Sequence, residues 1–193
     1  MACFFTKVET MKKVKFTAMK DGTPAEFQLL SELDEEYSKT LPTRILKMLN
    51  FLADDDGGYQ ISRLDHVLQT ATRAYRSGAS DEWIVAALLH DVGDVIAPDN
   101  HSVVAAEILK PFVSEEVFWV VRHHGVFQGV YYWQHIGRDP NAREAFRGHP
   151  YFDSAARFCE EWDQNSFDPD YETLPLEFFV PYVNKIFLSQ PTV

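Results

Sequence analysis

The sequence predicts an all-α domain, and three observations carry that prediction. Apolar residues recur at three- and four-residue steps, as in Leu64, Val67, Leu68, Ala71, Ala74 and Tyr75, the spacing of one helix face. Capping and stop residues bracket these runs. Only one stretch alternates: Val14, Phe16 and Ala18 against Lys15 and Thr17. That suffices for one short strand, not for a sheet.

In order, Thr23-Pro24 reads as an N-cap followed by proline at the first helical position, opening a polar helix to about Lys39. Pro42 starts a second helix carrying Ile45, Leu46, Met48, Leu49 and Leu52. Asp54-Asp55-Asp56-Gly57-Gly58 ends it in a loop. Ser62 and Asp65 form a capping-box pair, with Asp in place of the usual Glu. Gly78 closes the third helix. Ser80 or Asp81 caps the fourth, where residues 83–89 are apolar on every side and mark a central buried helix. Asn100 caps the next helix, which Pro111 stops. Ser114 caps another, expected to run to His124 with Gly125 as its end. Pro140 opens a short helix. Pro150 opens a longer one through Phe158 and Trp162 to Asp163, and Pro175 opens the last. Residues 1–56 read as an N-terminal accessory segment and 57–193 as the main domain.

Composition narrows the function. A length of 193 residues suits one core, and 46% hydrophobic residues can fill it. The net charge of -11 argues against a nucleic-acid or anionic-membrane partner; the one basic cluster is residues 11–15. Cys3 and Cys159 are too isolated for a disulfide framework. No apolar run at the N-terminus reads as a signal peptide, and no run is long enough to cross a bilayer. The expected location is the cytoplasm, and the expected partner is a small molecule.

The chemistry lies in a set of imidazoles and carboxylates. A very apolar helix delivers His90 and Asp91 at its C-terminal end, where an uncompensated polar pair is costly. Alone, such a pair reads as a helix-ending histidine stabilised by the dipole. His66 lies on the preceding helix, His101 starts the following one, His124 ends the next, and Asp163 ends a later one. Imidazole with carboxylate is a ligand set for iron, manganese and zinc. Six ligands exceed what one catalytic ion with open positions takes, so the count argues for two ions. Asp91 is the natural bridge; His66, His90 and Asp163 complete one site, and His101 and His124 serve the other. His123 and His124 cannot face the same way along a helix, and His124 is the chosen ligand.

The series His66…His90-Asp91…His101…His124…Asp163 resembles the H…HD…H…H…D pattern of HD-domain proteins with dinuclear sites, over residues 61–188. Ile61-Ser-Arg-Leu-Asp-His66-Val-Leu-Gln-Thr-Ala71 and Ala86-Ala-Leu-Leu-His90-Asp-Val-Gly93 are similar to the mixed-valent di-iron oxygenases related to myo-inositol oxygenase, in their phosphonate-degrading branch. The resemblance implies an HD-domain helical fold, two iron ions (Fe2+/Fe3+) and O2 as co-substrate. It implies cleavage of the carbon–phosphorus bond of an α-hydroxyphosphonate, giving a carboxylate and phosphate. Where aminophosphonate members of the branch carry a Tyr and a Glu ahead of the first metal histidine, this chain has Asp56 and Tyr59. A quaternary ammonium donates no hydrogen bond and prefers aromatic faces. Tyr59 fits that need, with Tyr131, Tyr132, Trp133 and Trp162 as further cage candidates. A His and a Lys of those members become Asp94 and Gln128, leaving Arg157 as the replacement phosphonate contact and Asp94 as a group orienting a ligand. The alternative within HD domains is a metal-dependent phosphohydrolase acting on a phosphate ester or nucleotide.

Overall fold

The structure is a computed structural model of the chain, and it describes residues 13–189. Cys3, and residues 11 and 12 of the basic cluster, lie outside them. The described residues are helical, as expected, with no strand among them.

The chain divides into two compact units, Met1–Thr40 and Leu41–Val193. In the first, α1 (Pro24–Ser38) starts at a capping box in which Thr23 and Glu26 satisfy each other's backbone N–H groups. It buries none of its residues. The alternating stretch before it is not a strand. The Lys15 N–H donates to Glu26 Oε1 at 2.7 Å, so the capping carboxylate takes a donor that a ladder would need.

The second unit carries α2 (Leu41–Phe51), α3 (Arg63–Arg76), α4 (Asp81–Leu89), α5 (His101–Leu109), α6 (Glu115–Gln128), α7 (Phe152–Arg157) and α8 (Leu176–Phe187). Helix α2 buries Ile45 and Leu49, so its apolar face belongs to this core. The Ser62–Asp65 box forms as expected. Helix α4 is the centre: Ile84 through Leu89 are all buried. Each such aliphatic side chain contributes roughly 1.5–3 kcal/mol relative to exposure. Around it, α3 packs on α4, and α5 packs on α6.

Two boundaries differ from expectation. Helix α6 runs through Gly125 to Gln128. A Cβ at Gly125 would stand 3.2 Å from Ser102 Oγ, so this glycine serves close approach of α5 rather than a stop. The long helix expected from Pro150 to Asp163 is α7 followed by a π-helical segment, Phe158–Asp163. Such wide turns recur at functional sites. This one packs against α3 and α6, the helices that carry His66 and His124.

Candidate metal centre

Asp91 holds the middle of the site, just past the end of α4. Its Oδ2 lies 3.4 Å from His66 Nε2 and 3.4 Å from His90 Nε2. Its Oδ1 lies 3.1 Å from His124 Nε2 and 3.4 Å from His101 Nε2. Asp163 Oδ1 closes the first group, 3.3 Å from His66 Nε2 and 3.5 Å from His90 Nε2. All six residues named from the sequence therefore meet. His66, His90, His124 and Asp163 are buried, while Asp91 and His101 are partly exposed.

The outward nitrogens fix the tautomers. Nδ1 of His90, His101 and His124 contacts the backbone carbonyl three residues earlier: Ala87 at 2.8 Å, Pro98 at 2.8 Å and Val121 at 2.7 Å. Nδ1 of His66 contacts the Ser166 carbonyl at 2.8 Å. A carbonyl only accepts, so each Nδ1 donates and carries a proton. Each neutral ring then turns its Nε2 lone pair inward, toward carboxylate oxygens that are also acceptors. His66 and His90 even place Nε2 against Nε2 at 3.1 Å. Acceptors converging on acceptors in a buried site call for cations between them. Asp163 Oδ2 adds to this demand, since it is buried with no hydrogen-bond partner.

The proton affinities express the same demand. Burial alone would lower His66, but the carboxylates of Asp163 and Asp91 outweigh it and push the imidazolium up to about 10. His90 is raised in the same way, against burial, by Asp91 and Asp163. Burial acts to raise Asp91 and Asp163, yet the imidazoles, with His90 first, hold both well below the usual carboxylate range. Two sets of these atoms are close enough to hold a metal ion: His66, His90 and Asp163, and His90, Asp91 and His124. The donor set, the inward lone pairs and the orphaned Asp163 oxygen all fit ions of the iron, manganese or zinc type.

A cavity of about 400 Å3 opens on these atoms, lined also by Tyr59, Asp94, Gln128, Tyr131 and Tyr132. Gln128 Nε2 donates to Asp163 Oδ1 at 2.9 Å. Asp94 stands 3.2 Å from His101 Nδ1, so it orients that ring rather than His90. Two residues expected at this cavity are absent from its lining. Asp56 instead accepts from the Gly58 N–H at 2.8 Å. Arg157 lines a second cavity; six residues from Asp163, it is on another face of the helix. Of the aromatic candidates, Trp133 packs under Gly129, and Trp162 lines the second cavity. His123 stacks on Trp119 at 4.3 Å, outside the cluster.

Two cavity residues were not picked out from the sequence. Arg63, which pairs with Asp55 and Asp94, is the one Lys or Arg in the cavity lining. It lies three residues before His66, a spacing that shares a helix face and could have flagged it. Phe167 stacks on His66 at 4.4 Å and on Tyr59 at 4.8 Å; it follows the helix in an irregular segment and gives no periodic signal.

Comparison with known proteins agrees with this geometry. The HD domain family matches residues 63–145, a span that contains five of the six clustered residues and stops short of Asp163. A hydroxymethylphosphonate dioxygenase from Gimesia maris is 30% identical over 95 residues, covering 42% of this chain and 47% of that protein. The aligned region thus spans just under half the length of that relative.

Proposed function

We propose that this protein is an oxygenase that cleaves the carbon–phosphorus bond of an α-hydroxyphosphonate at a site of two iron ions (Fe2+/Fe3+), using O2. Within that class we propose (R)-1-hydroxy-2-trimethylaminoethylphosphonate as substrate, with glycine betaine and phosphate as products, and a cytoplasmic location. The observation that carries the reading is the split of Asp91, whose two oxygens each face a different pair of imidazoles. One carboxylate shared between two groups of donors is a bridge between two ions. The similarity to a protein named for dioxygenation of a phosphonate supports the chemistry.

In this reading His66, His90 and Asp163 hold one ion, His101 and His124 the other, and Asp91 both. The bound ions would supply O2 activation and chelation of the substrate's oxygens. The chain's own part is positioning. Gln128 pins Asp163. Arg63 is the cation available to offset phosphonate charge, with part of its own charge already committed to Asp55 and Asp94. Tyr59, Tyr131, Tyr132 and Phe167 give the cavity aromatic walls, suited to a trimethylammonium group that donates no hydrogen bonds.

The test is to supply the iron-loaded protein with the trimethylammonium substrate, its primary-amine analogue and hydroxymethylphosphonate. Oxygen uptake and phosphate release should be matched and fastest with the first, and electron paramagnetic resonance should show an exchange-coupled mixed-valent pair. Release of phosphate from a phosphate ester without oxygen uptake would instead establish a hydrolase.

The proton affinities set the pH dependence. Protons on His66 and His90 stabilise the ion-free fold fully below the ordinary histidine value of 6.5, and this is lost as pH rises, for His66 through about 10. The ionised Asp91 and Asp163 stabilise above 3.8, and this is lost as pH falls through their depressed values. Metal ions must displace the imidazole protons. Adding zinc to the metal-free protein at pH 8 in weak buffer should therefore release protons, read with an indicator dye. Apparent affinity should drop as pH is lowered toward 6; a pH-independent affinity with no proton release would contradict this assignment.

A further inference from the structure

A second cavity, of about 260 Å3, lies beside the π-helical segment and is lined by Trp83, Ser154, Arg157, Phe158, Glu161 and Trp162 among others. Two of its groups lack partners. Trp162 is 8% exposed, and its indole Nε1–H is buried with no hydrogen-bond acceptor. Buried donors are almost always satisfied, so an orphan asks what completes it. Arg157 is exposed, and no carboxylate among the described residues pairs with it. The walls are aromatic: Trp83 meets Trp162 edge-on at 6.0 Å, and Phe158 meets Trp162 at 5.6 Å.

A cation and an unpaired N–H donor beside an apolar wall suit one kind of occupant. We infer that this cavity is a binding site for a small oxyanion on an apolar body, such as an aliphatic carboxylate or phosphonate. Its oxygens accept from Arg157 and from Trp162 Nε1, and its carbon body lies against the aromatic rings. The guanidinium fork matches the geometry of either anion. Glu161 is the one carboxylate in the lining and opposes an anion, so its charge sets the affinity from the other side. Asp163 follows Trp162 directly in the same π-helical segment and lines the first cavity, so the two cavities share one piece of backbone.

The probe is cyclohexanecarboxylate, with cyclohexylphosphonate as the second oxyanion. Cyclohexylmethanol is the neutral control and tetramethylammonium the cationic one. The chain has four tryptophans, hence four indole N–H signals in the 15N-labelled full-length protein, kept diamagnetic with zinc; Trp162→Phe identifies the one that matters. Either oxyanion should move the Trp162 signal downfield and saturably. Arg157→Ala should weaken that binding about ten-fold, the effect of losing a charge-assisted hydrogen bond, and Glu161→Gln should tighten it. Which oxyanion binds more tightly tells carboxylate from phosphonate. A signal that stays still with both, or that follows the neutral or cationic probe instead, overturns the inference. So does an affinity unchanged in Arg157→Ala, a surface substitution that leaves the core intact.

Discussion

Asp91→Asn should reduce bound metal from two ions per chain to one at most. The substitution keeps the shape of the side chain but replaces one oxygen with an amide NH2. The native oxygens face two different imidazole pairs, at 3.1 to 3.4 Å. Whichever way the amide turns, one pair then meets N–H donors, which satisfy the imidazole lone pairs and leave no place for an ion. Turnover should fall by more than about a hundred-fold, because losing even an outer partner of a metal ligand costs 10- to 100-fold. Metal analysis of the purified variant, with circular dichroism to verify its helix content, reads the result. Two ions retained in a well-folded variant would remove the bridge from the reading.

Gly93→Ala should separate the two ion positions. Gly93 lies in the buried turn after α4, and a Cβ there would stand 2.3 Å from the backbone oxygen of His101 and 2.6 Å from its Cα. Those are main-chain atoms and cannot swing aside, so the first turn of α5 has to move. Overpacking of this kind costs typically ~1–3 kcal/mol. His101 moves with that turn, whereas His66, His90 and Asp163 sit on other elements. The variant should unfold at lower urea concentration and keep about one ion per chain. Unaltered stability together with two bound ions would show that the approach of α5 is not needed.

The sequence speaks most clearly where physical chemistry leaves few options. Six metal-type donors could be read off because imidazole and carboxylate are the wrong residues for an apolar helix end unless something balances them. The helices could be read because α4 is apolar all round and its neighbours are apolar on one face. Glycine was the ambiguous letter: Gly78 ends a helix with φ of 78°, while Gly125 sits inside one, making room for α5. Side-chain direction beyond the ligands was less legible. Arg157 looked available because it is close in sequence to Asp163, but helix geometry sends it to a different cavity. Arg63 was overlooked although its spacing from His66 was in view. Phe167 and the Ser166 carbonyl come from an irregular segment whose path no periodicity reports.

Three of the four clustered histidines are steadied by the carbonyl of their own preceding turn: Ala87 for His90, Pro98 for His101 and Val121 for His124. Each ring therefore takes its aim from a few neighbouring residues rather than from a distant loop. Such a receptacle is built before anything fills it, and its occupants can be exchanged without remaking the walls. Swapping one ion for another should consequently alter reactivity and colour while the helices keep their places.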